Sequence, residues 1–181
     1  MNAGSIGLLL LLVFILMQPR AALIAAQALP KNQSSSLCRA EEQVIFSCAV
    51  APGARTVSLC ASSALDHRRG YLQYRYGKPG AIELQFPQAR ANTQLVFRFA
   101  HYFRAQVNRT EVSFDNQEYR YTIFDYYEGD TNPATPVAGV RVRQHGARGS
   151  ETEIQCQNRA SSQLGKLEKI IPRDPDKSLN Q

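Results

Sequence analysis

Apolar and polar residues alternate with a period of two through most of this chain. The stretch "GYLQYRYGKPGAIELQFP" (Gly70 to Pro87) shows it best, with two alternating runs around Lys78-Pro79-Gly80. Alternation of this kind marks half-buried strands, and Pro-Gly marks a turn because Pro fixes φ and Gly accepts positive φ. The same reading makes a hairpin of Val44–Val50 and Arg55–Ala61, turning at Pro52-Gly53. It makes one alternating run of "QLVFRFAHYFRAQV" through Leu95, Phe97 and Phe99. "TEVSFDNQEYRYTIFDYY" reads as a third hairpin turning at Asp115-Asn116, and the last pair turns between His145 and Gly149. No long helical stripe interrupts these runs. About eight short strands with regular turns specify an all-β fold, a small antiparallel barrel or sandwich.

The period also assigns faces. Leu72, Tyr74 and Tyr76 share one face, and Tyr71, Gln73 and Arg75 the other. Ile82, Leu84 and Phe86 match the first set across the turn, so Leu72, Tyr74, Leu84 and Phe86 are core candidates. Arg75 and Glu83 then form a solvated cross-strand pair on the outer face. Tyr119, Tyr121 and Ile123 face one way; Arg120, Thr122 and Phe124 face the other.

The chain begins with an apolar run, Ile6 to Met17, too short for the roughly 20 residues of a membrane-spanning helix. Ala26-Gln27-Ala28 is a small-x-small cleavage pattern, so residues 1–28 read as a signal peptide. No membrane span is expected after cleavage, and the compartment is periplasmic or extracellular. Residues 29–37 read as a flexible leader, Cys38 to Cys156 as one β-domain, and residues 157–181 as a polar, disordered tail with at most a weak helical stripe of Leu164, Leu167 and Ile171. Cys38, Cys48, Cys60 and Cys156 are an even set behind an export signal, which reads as two disulfides. Without residues 1–28 the chain keeps 20 basic and 15 acidic residues, a net charge of +5. That balance favours acidic partners, while the lack of a dense Lys/Arg block counts against nucleic acid.

Catalytic signatures are missing. There is no G-x-S-x-G, H-E-x-x-H, P-loop or G-x-G-x-x-G, so no enzyme and no cofactor is expected. Asp125, Glu128 and Asp130 lack the ligand spacing of a calcium loop, so no metal is expected either. What remains is a surplus of aromatics. Strict alternation cannot bury all of Phe124, Tyr126 and Tyr127 on one strand. Exposed Tyr beside Arg is the composition of interface anchors. The candidate partner surface is therefore Phe124, Tyr126 and Tyr127, with Arg120 and Arg75 nearby; a bulge at Asp125 would turn both tyrosines outward. The competing reading makes these side chains core, or covers them with a second sheet or the tail.

The segments "CRAEEQVIFSCAV", "VSLCAS", "GYLQYRYGKPGAIEL" and "EIQCQN" resemble a group of small exported bacterial proteins of unknown function. That resemblance implies an exported setting and no activity. Phe46-Ser47-Cys48 and Cys156-Gln157-Asn158 are also similar to the first and last strands of the periplasmic and membrane-bound C-type lysozyme inhibitors, a β-barrel family. The likeness implies a Cys48–Cys156 disulfide, leaving Cys38–Cys60. A Cys48–Cys60 bridge would also fit the first hairpin poorly, since Cys48 should lie opposite Thr56 or Val57. The inhibitors' Ser-Gly loop has no counterpart in "FAHYFRAQVNRTE", and Glu128 stands where their aromatic-x-Lys-Gly-Asp has Lys. The expected function is an exported, non-enzymatic binding protein for an envelope glycan or protein. The alternative is an inhibitor of a glycan-cleaving hydrolase such as lysozyme, and an enzyme comes last.

Overall fold

The computed structural model of the protein describes Met1, residues 36–146 and residues 150–177. The expected signal peptide lies outside the described residues. The chain divides at Lys31, and the fold below belongs to the second unit, Asn32–Gln181.

Among the described residues, ten strands form two antiparallel sheets of five. The first holds β1 (Glu42–Val50), β2 (Arg55–Ser62), β3 (Leu72–Lys78), β4 (Ala81–Phe86) and the two-residue β10 (Ser161–Ser162), in the order β10-β1-β2-β3-β4. The second is a meander of β5 (Phe97–Arg104), β6 (Val107–Asn116), β7 (Tyr119–Glu128), β8 (Thr135–Gln144) and β9 (Glu151–Gln155). The sheets do not close on each other, so of the two expected architectures the sandwich is the one adopted.

Both Pro-Gly hairpins form where the sequence places them. Two turns differ. The long run "QLVFRFAHYFRAQV" is two strands, breaking at Ala105-Gln106 with Gln106 at φ 64°. Asp115 and Asn116 remain in β6, and the chain reverses at Gln117-Glu118, with Gln117 at φ 55°.

The apolar faces meet in one core. Phe46, Val57, Leu59, Leu72 and Tyr74 come from the first sheet; Phe97, Phe99, Val112, Phe114, Ile123 and Val140 come from the second. Phe114 sits between Tyr121 and Phe86, stacked on each at 5.0 and 4.8 Å between ring centres. β1 meets the second sheet at its β9 edge. At its Val50 end it bridges Cys156, just after β9. At its other end the Ile45 carbonyl accepts from Gln163, and the chain continues from there to the free edge of β5.

Both disulfides pair as the resemblance implies. Cys48–Cys156 ties β1 to the end of β9, and Cys38–Cys60 ties the entering segment to β2. Cys48 lies opposite Val57, which keeps Cys60 out of its reach. Disulfides of this kind belong to chains that fold in an oxidising compartment. Among the described residues no helix is long and apolar enough to cross a membrane.

The termini overturn two expectations. Residues 36 and 37 are not a free leader: Leu37 is buried, its N–H donating to Ser58 Oγ at 3.0 Å. Nor is the tail disordered between residues 157 and 177. Leu164, Leu167 and Ile171 join the core, the first two in a 3-10 turn spanning Leu164–Leu167. Beyond them, Phe99 N–H donates to Pro172 and Asp174 N–H donates to Phe99, capping the edge of β5. Asp174 then accepts from Ser113 Oγ on the outer face of β6.

Candidate functional site

Cross-strand register locates the place where the core stops. On the inner face of the second sheet, Phe99, Val112, Ile123, Val140 and Ile154 form one rung beneath the first sheet. The next rung is His101, Thr110, Asp125 and Ala138; the one after is Phe103, Asn108, Tyr127 and Pro136. These two rungs run past β1, the last long strand above them. Burial falls accordingly. Thr110 is still buried, Asp125 and Ala138 are half-buried, and all four residues of the final rung are exposed. Phe103 reaches 72 % exposure and Tyr127 48 %, on a face where core chemistry would bury them.

The β7–β8 part of the overhang, Asp125, Tyr127, Pro136 and Ala138, is the floor of an open groove of about 660 Å³, and residues 155–160, along the edge of β1, form its wall; Phe103 stands outside the groove, two strands away on the Tyr127 rung. That volume falls within the range of about 300–1,000 Å³ usual for small-ligand sites. Tyr127, Pro136 and Ala138 supply apolar floor; Asp125, Gln157, Asn158 and Arg159 supply polar groups. Gly129 makes room for the Tyr127 ring: a Cβ there would lie 2.7 Å from Tyr127 Cε1 and 2.8 Å from the Gln106 carbonyl. Nearby, His101 Nε2 hydrogen-bonds Asn108 Oδ1 at 3.0 Å.

Backbone pairing is closed off in the groove. Ala138, Val140 and Val142 turn their peptide groups towards β9, and Cys156 N–H donates to Ala138. The next residue facing that edge is Pro136, which has no N–H. Proline at this position ends the ladder and blunts the edge against strand addition. The groups that the groove can offer to a ligand are therefore side chains.

The five residues singled out from the sequence separate in space. Tyr126 and Tyr127 both line the groove. No bulge occurs at Asp125, because β6 and β7 pair without a shift from Val107–Glu128 to Asn116–Tyr119. The two tyrosines consequently lie on opposite faces. Tyr126 is half-buried on the outer face, its hydroxyl donating to Glu111 and accepting from Arg141. Burial pushes its phenol pKa up, and the Glu111 carboxylate adds to the shift.

Phe124 is a correction: it is buried, not exposed. Its ring lies over Gly139 of β8, where a Cβ would stand 3.0 Å from Phe124 Cζ, and the Arg141 guanidinium covers it at 4.9 Å from the ring centre. Arg120 is at the opposite end of β7, bound to Asp115 at 3.0 Å and to Asp176 of the tail at 3.4 Å.

Arg75 is the clearest correction. It is 2 % exposed beneath the entering segment. Its guanidinium makes a bidentate pair with Glu42 at 2.6 and 2.7 Å and donates to Gln73 and the Leu37 carbonyl. The expected partner, Glu83, instead pairs with Arg55 at 2.7 Å. Arg75 therefore belongs to the framework.

Phe103, His101 and Asn108 were missed. Their signal was an aromatic at a period-two position just before a turn, but the turn at Ala105-Gln106 carries neither Gly nor Pro.

No protein family, curated protein or solved structure matches the chain.

Proposed function

We propose that this is an exported, non-enzymatic binding protein of the cell envelope, periplasmic or secreted, whose end groove takes a glycan chain. The observation that carries this reading is the pair of exposed rings, Tyr127 and Phe103, on one rung of the overhanging sheet. An aromatic face offers a flat apolar surface to the C–H side of a sugar ring, and planar polar side chains beside it suit sugar hydroxyls. Asp125, Asn158 and Gln157 are placed for that second role. With Asp125 and Arg159 both at the groove, the contact needs no net charge on the ligand.

Calorimetric titration of the purified protein with soluble β-1,4-linked N-acetylglucosamine oligomers and with envelope glycan fragments tests this. Binding is expected to persist at high salt, where a purely ionic contact is screened. Tyr127→Ala should weaken it by about tenfold or more, the scale of one stacking contact. Failure of every glycan to bind, or equal binding by Tyr127→Ala and Phe103→Ala, would contradict the proposal. Lysozyme inhibition by the same preparation would point to the inhibitor alternative.

A further inference from the structure

A second concavity lies on the outer face of the same sheet, away from the groove. It holds about 200 Å³ and is lined by Arg120, Thr122, Arg141, Arg143, Glu151 and Lys177. Four cations from β7, β8 and the tail thus converge on a space with one carboxylate. Arg120 and Arg143 are directly opposite each other in the β7–β8 ladder. Like charges so placed destabilise a sheet unless an anion lies between or beside them.

Neighbouring carboxylates account for part of this charge. Asp115 and Asp176 hold Arg120, and Glu111 holds both Arg141 and Lys177. Burial raises the pKa of Glu111, but hydrogen bonds from Lys177 and Tyr126, with the charges of Lys177 and Arg141, outweigh it and keep Glu111 ionised. Two donors are left over. Arg141 Nε is buried without a hydrogen-bond partner, and a Glu153 carboxylate oxygen lies 4.0 Å from it. Arg143 forms no ion pair with any described residue, although Glu151 faces it across β8 and β9. A buried guanidinium N–H without an acceptor is costly, and it leaves the Arg141 charge only partly met by the protein.

We propose that this pocket binds a tetrahedral oxyanion, phosphate or sulfate, free or as an ester, held by the Arg143 fork and the Arg141 guanidinium with the Thr122 hydroxyl at its floor. Guanidinium groups meet such oxyanions through paired, directional N–H bonds. The volume suits a single oxyanion group and excludes a folded partner.

The test is titration at constant ionic strength in chloride with inorganic phosphate, sulfate, glucose 6-phosphate and glucose, read by calorimetry and by 31P line width for the phosphates. Saturable binding of at least one oxyanion and none of glucose is expected. Glucose 6-phosphate binding more tightly than phosphate would identify an ester as the ligand; the reverse order would identify the free ion. Arg143→Gln should weaken binding by about tenfold or more, with the melting temperature in phosphate-free buffer unchanged. Glu151→Gln, which removes the one lining carboxylate, should tighten it. No saturable binding by the wild-type protein, or equal affinity in wild type and both variants, would overturn the proposal.

Discussion

Arg75 and Glu42 show what one buried ion pair does here. Both side chains are nearly inaccessible, and the pair keeps the entering segment on the first sheet. Removing one partner of such a pair leaves the other buried and uncompensated, so Glu42→Gln is expected to cost about 3–5 kcal/mol. Burial raises the pKa of Glu42, but the hydrogen bonds from Arg75, Arg39 N–H and Tyr71 outweigh it, and the group sits below its ordinary 4.5. The unfolded chain then takes up the proton first as pH falls. The stabilisation is complete above the ordinary value and is lost as pH drops through the lower, folded one. Urea unfolding at about pH 7 and about pH 3 should show the gap between wild type and Glu42→Gln narrowing in acid; a gap that stays constant would contradict the assignment. The sequence gives Arg75 its face correctly and its environment wrongly. Alternation is local, whereas the cover over Arg75 comes from residues more than thirty positions earlier. Phe124 fails for a related reason: its cover is Gly139 and Arg141 on the next strand, visible only once β7 and β8 are in register.

Among elements, the hairpins were legible and the straps were not. Pro52-Gly53 and Pro79-Gly80 announce their turns with residues whose backbone preferences match them. Gln106 and Gln117 adopt positive φ without being Gly, Asn or Asp, which composition does not signal. The tail reads as polar because its three buried anchors, Leu164, Leu167 and Ile171, are diluted by charged neighbours. Yet it runs from the edge of β1 to the edge of β5 and crosses the outer face as far as Lys177. Leu167, fully buried, should therefore behave as a core residue. Leu167→Ala is expected to lower unfolding free energy by about 2–5 kcal/mol. A loose tail would give a change within about 0.5 kcal/mol, as for an ordinary surface substitution. Urea denaturation of the two proteins separates these outcomes.

For the molecule as a whole, the fold class, the sandwich alternative and both disulfides could be read in advance, because alternation, turns and cysteine number are carried by the sequence itself or by its resemblances. The site could not be read as fully. "FDYY" flags an aromatic surplus, but which rings stay exposed depends on how the two sheets pack. Phe103, Asn108, Tyr127 and Pro136 lie uncovered, and residues 155–160 stand beside Tyr127 and Pro136. Under the proposed function this overhang, and not the arginine-rich outer face, receives the glycan. Backbone-amide chemical shifts recorded during titration with a β-1,4-linked N-acetylglucosamine tetramer test it most directly. Perturbations are expected at Phe103, Asn108, Asp125, Tyr127, Ala138 and residues 157–160, with Arg120 and Arg143 unmoved. Perturbations confined to the outer face, or none at saturating tetramer, would contradict it.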